Sequence, residues 1–183
     1  MRKIVAGGQT GVDQAALRAA MACGLATGGW CPPGCVSEDG KIPDIFSLKE
    51  TPEERSQDAL DIPRSQRTQW NVRDSDATLV LWPGTLDKRD LGTRYTVDCA
   101  LQYKKHLLIC DPTEQKDVAK AINWIIRNNI ETLNVSGPSE RTSPGVGAVA
   151  EWFIRELLVC EHPLRTKPKT LVQHMIFLEP GLH

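Results

Sequence analysis

Three stretches of the chain set glycine beside hydroxyl or amide side chains just ahead of a helical pattern. They are Gly7-Gly8-Gln9-Thr10-Gly11 before Val12, the run from Pro83 to Thr93 before Arg94, and Ser136-Gly137 ahead of Gly145. Glycine adopts angles closed to other residues and leaves room for a ligand against the main chain. The opening turn of a helix has free amides and a positive field, which together receive phosphate or another oxyanion. Gly7, Gly8 and Gly11 supply that geometry in the first stretch, where Gln9 lies beside them and Thr10 can cap the helix or offer its hydroxyl. Asp13 suits a helix start but repels an anion placed beside it, so it is read as holding a hydroxyl, a water or a basic neighbour. A plain strand-to-helix turn is the competing reading, because the glycine spacing departs from G-x-G-x-x-G and no lysine of the G-x-x-x-x-G-K-[ST] kind follows.

The second stretch repeats the chemistry with Gly84, Thr85, Gly92 and Thr93, and adds Lys88, Arg89 and Arg94 against Asp87 and Asp90. Surface pairing of these charges competes with ligand binding. Arg67 and Asn71 share a face if Ser65 to Arg73 is helical. Arg67 can then fork onto a phosphate or carboxylate, or pair with Asp74 or Asp13. Signatures of hydrolytic enzymes are missing: there is no G-x-S-x-G turn and no H-E-x-x-H. Asp13, Glu38, Asp39, Asp98 and Asp111 remain candidate acid/base carboxylates. Trp30 or Trp70 can cover an aromatic ring or sit in the core. Of the six cysteines, Cys23, Cys99 and Cys110 read as small buried hydrophobes, and Cys31 and Cys35 as plain loop cysteines. No structural metal is expected.

Elements that position these loops alternate along the chain. Strands are expected at Lys3 to Ala6, near "LATGGW", at Ala77 to Trp82, and in "HLLIC" and "TLNVSG". Helices are expected at Val12 to Cys23, Arg94 to Tyr103, in "PTEQKDVAKAINWIIRNN", and from Gly145 to Val159, where Val149, Phe153, Leu157 and Val159 form the inner face. Gly24 is a C-cap candidate. The almost unbroken apolar run at 77–82 suits a strand covered on both faces. Alternation of this kind predicts a three-layer Rossmann-like α/β domain, a mostly parallel sheet with helices on both faces. From about 32 to 64 the chain is polar and interrupted by Pro32, Pro33, Pro43, Pro52 and Pro63, an irregular insertion read as a ligand cover or partner surface. Thr51-Pro52-Glu53-Glu54 is expected to start a helical turn. The tail "TLVQHMIFL" can add a strand or meet a partner subunit.

At 183 residues, 40% hydrophobic and 25% charged, the chain reads as one globular domain over 1–183. A net charge of −1 gives no electrostatic reason to expect nucleic acid as partner. Neither a secretory leader nor a long apolar span is evident, so a cytoplasmic protein with no membrane partner is expected.

Taken together, "GGQTGVDQAAL", "GGWCPPGCVSEDGKIP", "RTQWNVRDSDATLVL", Gly92-Thr93 with Thr96, and "LNVSGP" followed by "SPG" resemble the molybdenum cofactor carrier family. That family is related to the LOG-type (lysine decarboxylase-like) phosphoribohydrolases and to DprA-like proteins. The resemblance implies a Rossmann-type domain assembled as a homodimer or homotetramer. It also implies a phosphate-bearing small molecule as ligand, molybdenum cofactor of the molybdopterin type or a nucleotide. The hydrolase branch places an arginine nine residues before the aspartate preceding the central strand, as Arg67 precedes Asp76 here. It also carries a catalytic glutamate where this chain has Thr96, so hydrolysis by the same route lacks its carboxylate; Asp98 lies two residues further on. On this reading Gly7, Gly8, Gln9, Thr10, Gly11, Asp13, Arg67, Asn71, Gly84, Gly92, Thr93, Thr96, Ser136 and Gly137 form the binding site of a carrier or sensor, the alternative being a nucleotide-processing hydrolase.

Overall fold

The structure, a computed structural model, describes residues 1–84 and 90–161, with side chains to 158. The expectations for Thr85, Lys88, Arg89 and the tail lie outside the described residues. Nine strands and five α-helices follow one another there. The strands are β1 (Lys3–Val5), β2 (Ala26–Gly28), β3 (Trp30–Cys31), β4 (Val36–Ser37), β5 (Gly40–Lys41), β6 (Lys49–Glu50), β7 (Ala77–Leu81), β8 (His106–Cys110) and β9 (Thr132–Ser136). The helices are α1 (Val12–Ala22), α2 (Ser65–Arg73), α3 (Leu91–Gln102), α4 (Gln115–Arg127) and α5 (Val146–Glu161).

Five strands form a parallel sheet in the order β2-β1-β9-β7-β8. The chain leaves β1 for β2 on one side and β7 for β8 on the other. Right-handed crossovers therefore send α1 and α3 to opposite faces. α1, α5 and α4 pack together on one face, and α2 packs with α3 on the other. This is the expected three-layer Rossmann-like architecture. Ala77 to Leu81 are all buried, as a strand covered on both faces requires.

The main core joins Ile4, Leu79, Leu81, Leu133 and Val135 of the sheet to Phe153, Ile154 and Leu157 of α5. Fully burying each such side chain stabilises the fold by about 1.5–3 kcal/mol. Ala15, Ala16, Ala19 and Ala20 of α1 are fully buried, so small residues let that helix lie close to the sheet and α5. On α5 Phe153 and Leu157 are buried as expected, joined by Ala150 and Ile154, while Val149 is half-buried and the expectation for the Val159 side chain lies outside the described ones. α3 begins at Leu91 rather than Arg94, because the Asp90 carboxylate accepts from the Thr93 amide and starts the helix earlier. Gly24 follows α1 with φ 70°, in the role expected of it.

The irregular stretch has its own anchor. Ile42 and Phe46 are buried against Leu17, Ala6 and Cys31, forming a small core beneath it. β3 pairs with β6 in parallel and β4 with β5 as a short hairpin. No helical turn forms at Thr51: its hydroxyl donates to the Cys31 and Glu53 carbonyls, and the chain there stays extended or bent. Cys31 and Cys35 are not plain loop cysteines but a disulfide, which closes the turn leading into the hairpin. Cys99 and Cys110 are buried, and burial pushes their thiols up to about 11 and about 12. No helix among the described residues is long and apolar enough to cross a membrane.

Candidate functional site

In a sheet of this topology a ligand cleft opens at the carboxyl ends of strands whose connections diverge. Here those strands are β1, β9 and β7. A cleft of about 230 Å³ lies above them. It is walled by Gln9 after β1, by Ser136, Gly137 and Ser139 after β9, and by Asp90, Gly92, Thr93 and Thr96 at the start of α3. Arg64 and Arg67 enter from α2 and its N-cap, and Glu38 from the insertion. Seven of the residues expected at a site thus meet in one place: Gln9, Arg67, Gly92, Thr93, Thr96, Ser136 and Gly137.

Arg67 and Asp13 form the floor. The Arg67 Nη1 lies 2.8 Å from Asp13 Oδ2, with the two side chains 14% and 3% exposed. Burial pushes the Asp13 carboxyl above the usual carboxylate range, and the Arg67 charge and the amides of Gln9 and Gly7 act against that rise. Arg67 Nε is buried with no hydrogen-bond partner. Gly7 makes this arrangement possible, because a Cβ there would overlap the Arg67 guanidinium.

The mouth of α1 is closed by the protein itself. Gly11, not Thr10, stands at its N-cap, and no side chain caps it. The Val12 amide donates to the Pro138 carbonyl at 3.2 Å, and Gln9 N donates to Asp13 Oδ2 at 3.2 Å. A Cβ on Gly11 would meet Pro138 O at 2.5 Å, and one on Gly8 would meet Leu48 and Ile42. These glycines admit neighbouring chain segments. Thr10 donates its hydroxyl to Glu38 and accepts from the Glu140 amide at 3.3 Å. The Glu140 carboxylate in turn accepts from the amides of Gly145 and Gly147, each at 2.7 Å, closing the start of α5.

α3 presents a different mouth. Asp90 caps Thr93, while Gly92 and Thr93 line the cleft, and among the described residues a Cβ on Gly92 would find nothing closer than Asp90 Oδ1 at 3.6 Å. Beneath them the Thr96 and Ser136 hydroxyls lie 3.2 Å apart, both buried.

Glu38 was named in the sequence only as one candidate carboxylate among several; no local pattern says that a loop 29 residues beyond Gln9 returns to it. Its side chain is 10% exposed. Burial is the strongest single influence on its carboxyl and acts to raise it. Hydrogen bonds from Thr10, the Arg141 amide and Ser139 outweigh burial and hold it below the usual range. Glu38 N also donates to Gln9 Oε1 at 2.7 Å, so the insertion is tied to the first glycine turn at both ends of this residue. Arg64, another cleft residue outside the expected set, carries no motif around it.

Other expected residues lie elsewhere. Asn71 clamps the Trp30 backbone, accepting from its amide and donating to its carbonyl, each at 2.9 Å. Gly84 donates its amide to Asp111 Oδ2 at 2.7 Å and is absent from the cleft lining. Trp30 and Trp70 meet edge to face at 4.7 Å, and neither lines the cleft. Asp98 is exposed on α3 beside Tyr95, over a separate groove. Among the described residues no three His, Cys, Asp or Glu side chains gather as a metal site would require.

A parallel sheet with this strand order and a polar cleft at its switch point defines a Rossmann-like α/β protein. The chain belongs to the circularly permuted YpsA SLOG family, whose model matches residues 4–158. It is also similar to a solved structure, "Putative molybdenum carrier protein from Syntrophus aciditrophicus SB", with 34% sequence identity and a TM-score of 0.75. That likeness covers 87% of this chain and 95% of the other. No match was found among curated proteins.

Proposed function

We propose that the protein binds a phosphate-bearing small molecule in the cleft above β1, β9 and β7 and acts as its carrier, with molybdenum cofactor of the molybdopterin type as cargo. The observation that carries this reading is the chemistry of the wall at α3. Gly92, Thr93, Thr96 and Ser136 bring backbone and hydroxyl groups to one side of a cleft that arginines enter from α2. Hydroxyls, amides and guanidinium together are what a phosphate monoester accepts from. The name of the similar carrier supports the choice of cargo. Molybdopterin holds its metal through its own sulfur atoms, so a carrier needs to grip the phosphate and shelter the ring. Mass spectrometry of the intact protein under native conditions tests this: a bound pterin phosphate is expected, and a cleft that binds neither pterin phosphate nor nucleotide would sink the reading.

One observation favours a second reading. Glu38 brings an ionised carboxylate into the cleft at whose floor Thr96 lies. A hydrolase of nucleoside monophosphates would use such a carboxylate to stabilise the positive charge that grows on the sugar as its bond to the base breaks. Release of free base at catalytic rate, abolished in Glu38→Gln, would establish this activity over simple carriage.

A further inference from the structure

Arg64 occupies the N-cap of α2 at φ 59° and ψ 23°, in the left-handed region that residues with a Cβ enter only at a cost. Its surroundings hold it there. Ser65 next to it is fully buried, and its hydroxyl accepts from the Ser56 amide at 2.8 Å and donates to the Ala59 carbonyl at 2.9 Å. The Thr68 hydroxyl reaches the Arg64 carbonyl at 3.5 Å. The usual solution for such a position is glycine or asparagine. A long cation kept in a strained backbone at the rim of a cleft points to a task for its head group.

The charges around it show what that task is. Four ionisable side chains line the cleft: Glu38, Arg64, Arg67 and Asp90. Arg67 is neutralised by Asp13. Asp90 is engaged by the Thr93 amide and hydroxyl at 2.8 and 3.1 Å. Glu38 accepts from Thr10, Ser139 and the Arg141 amide. Of these four, only Arg64 has no hydrogen-bonding or ionic partner for its side chain among the described residues.

We infer that Arg64, rather than Arg67, is the cation that anchors the ligand, and that the group it anchors is a phosphate monoester. This rests on the cleft reading above and assigns the ligand's charged end to one residue. Arg67 then serves as the fixed floor of the site, and Arg64 as the arm that meets the phosphate from above while the Gly92 backbone faces it from α3.

Isothermal titration of the full chain with a nucleoside 5′-monophosphate, its parent nucleoside and inorganic phosphate tests the assignment. The variants are Arg64→Gly and Arg64→Lys. Glycine suits φ 59° and removes no internal contact, so Arg64→Gly is expected to melt no lower than the unmodified protein. It is expected to bind the monophosphate at least tenfold more weakly, with nucleoside binding unchanged and Arg64→Lys falling between. A matching loss toward inorganic phosphate identifies free phosphate as a ligand in its own right; a loss confined to the monophosphate ties recognition to the ester, and both support the role. Arg64→Gly binding the monophosphate as tightly as the unmodified protein would overturn the inference and leave the cleft reading standing. An unmodified protein that binds neither the monophosphate nor inorganic phosphate, and carries no pterin phosphate in native mass spectrometry, would overturn both.

Discussion

The mouths of α1 and α3 start from the same local signature, glycine and threonine opening a helix after a sheet strand, and end in opposite conditions. At α1 the Pro138 carbonyl, the Asp13 carboxylate and the Glu38 contact with Thr10 use up the polar groups. At α3 Asp90 takes the Thr93 amide and hydroxyl, and Gly92 faces the cleft. Identical turn chemistry thus serves chain packing in one place and faces open space in the other. What decides is whether a second segment crosses the glycine, as residues 138–140 cross Gly11.

That contrast can be broken most severely at Asp13. Asp13→Ala leaves the Arg67 charge without its partner on the cleft floor and is expected to cost about 3–5 kcal/mol in denaturant unfolding. Gly11→Ala comes next. Its Cβ would press on Pro138 and Glu140 at φ 75°, and a loss on the order of 3 kcal/mol is expected from strain and overpacking.

Glu38→Gln should cost about 1 kcal/mol at neutral pH, because it weakens the bonds from Thr10, Ser139 and Arg141. The sign of its pH dependence follows from the lowered folded-state value. The Glu38 contribution is present above the unfolded glutamate range of about 4.3 and is lost as pH falls through the folded value. Melting curves of Glu38→Gln should therefore converge on those of the unmodified protein in acid. Divergence that persists below that range would remove Glu38 as the group responsible.

The smallest effect is expected at Gly92. Alanine there meets only ordinary contacts and should stabilise α3 by about 0.5–1 kcal/mol, while weakening binding of a nucleoside monophosphate in titration. A Gly92→Ala protein that binds unchanged would make the α3 mouth as irrelevant to ligands as the α1 mouth.

Sheet, helices and their alternation were legible because apolar periodicity is local. His106–Cys110 and Ser65–Arg73 appear at their expected limits, and most other ends fall within three residues. The cleft was half legible. Glycines and hydroxyls advertise a turn, but which turn is crossed by another segment depends on contacts such as Thr10 with Glu140, 130 residues apart. The pairing of Arg67 with Asp13 stood among the alternatives the sequence left open, and only the fold selects it. Glu38 stood only among five candidate carboxylates and Arg64 was not singled out, because one arrives through a proline-broken insertion and the other draws its importance from a backbone angle and a missing partner. Neither property is written in the residue types around them.

Gly7 and Arg67 share one volume: the guanidinium fills the space a methyl group on residue 7 would claim. The two positions are therefore bound to a common history. A shorter residue at 67 frees residue 7 to acquire a side chain, whereas a side chain at 7 obliges the Arg67 guanidinium to move from its place beside Asp13.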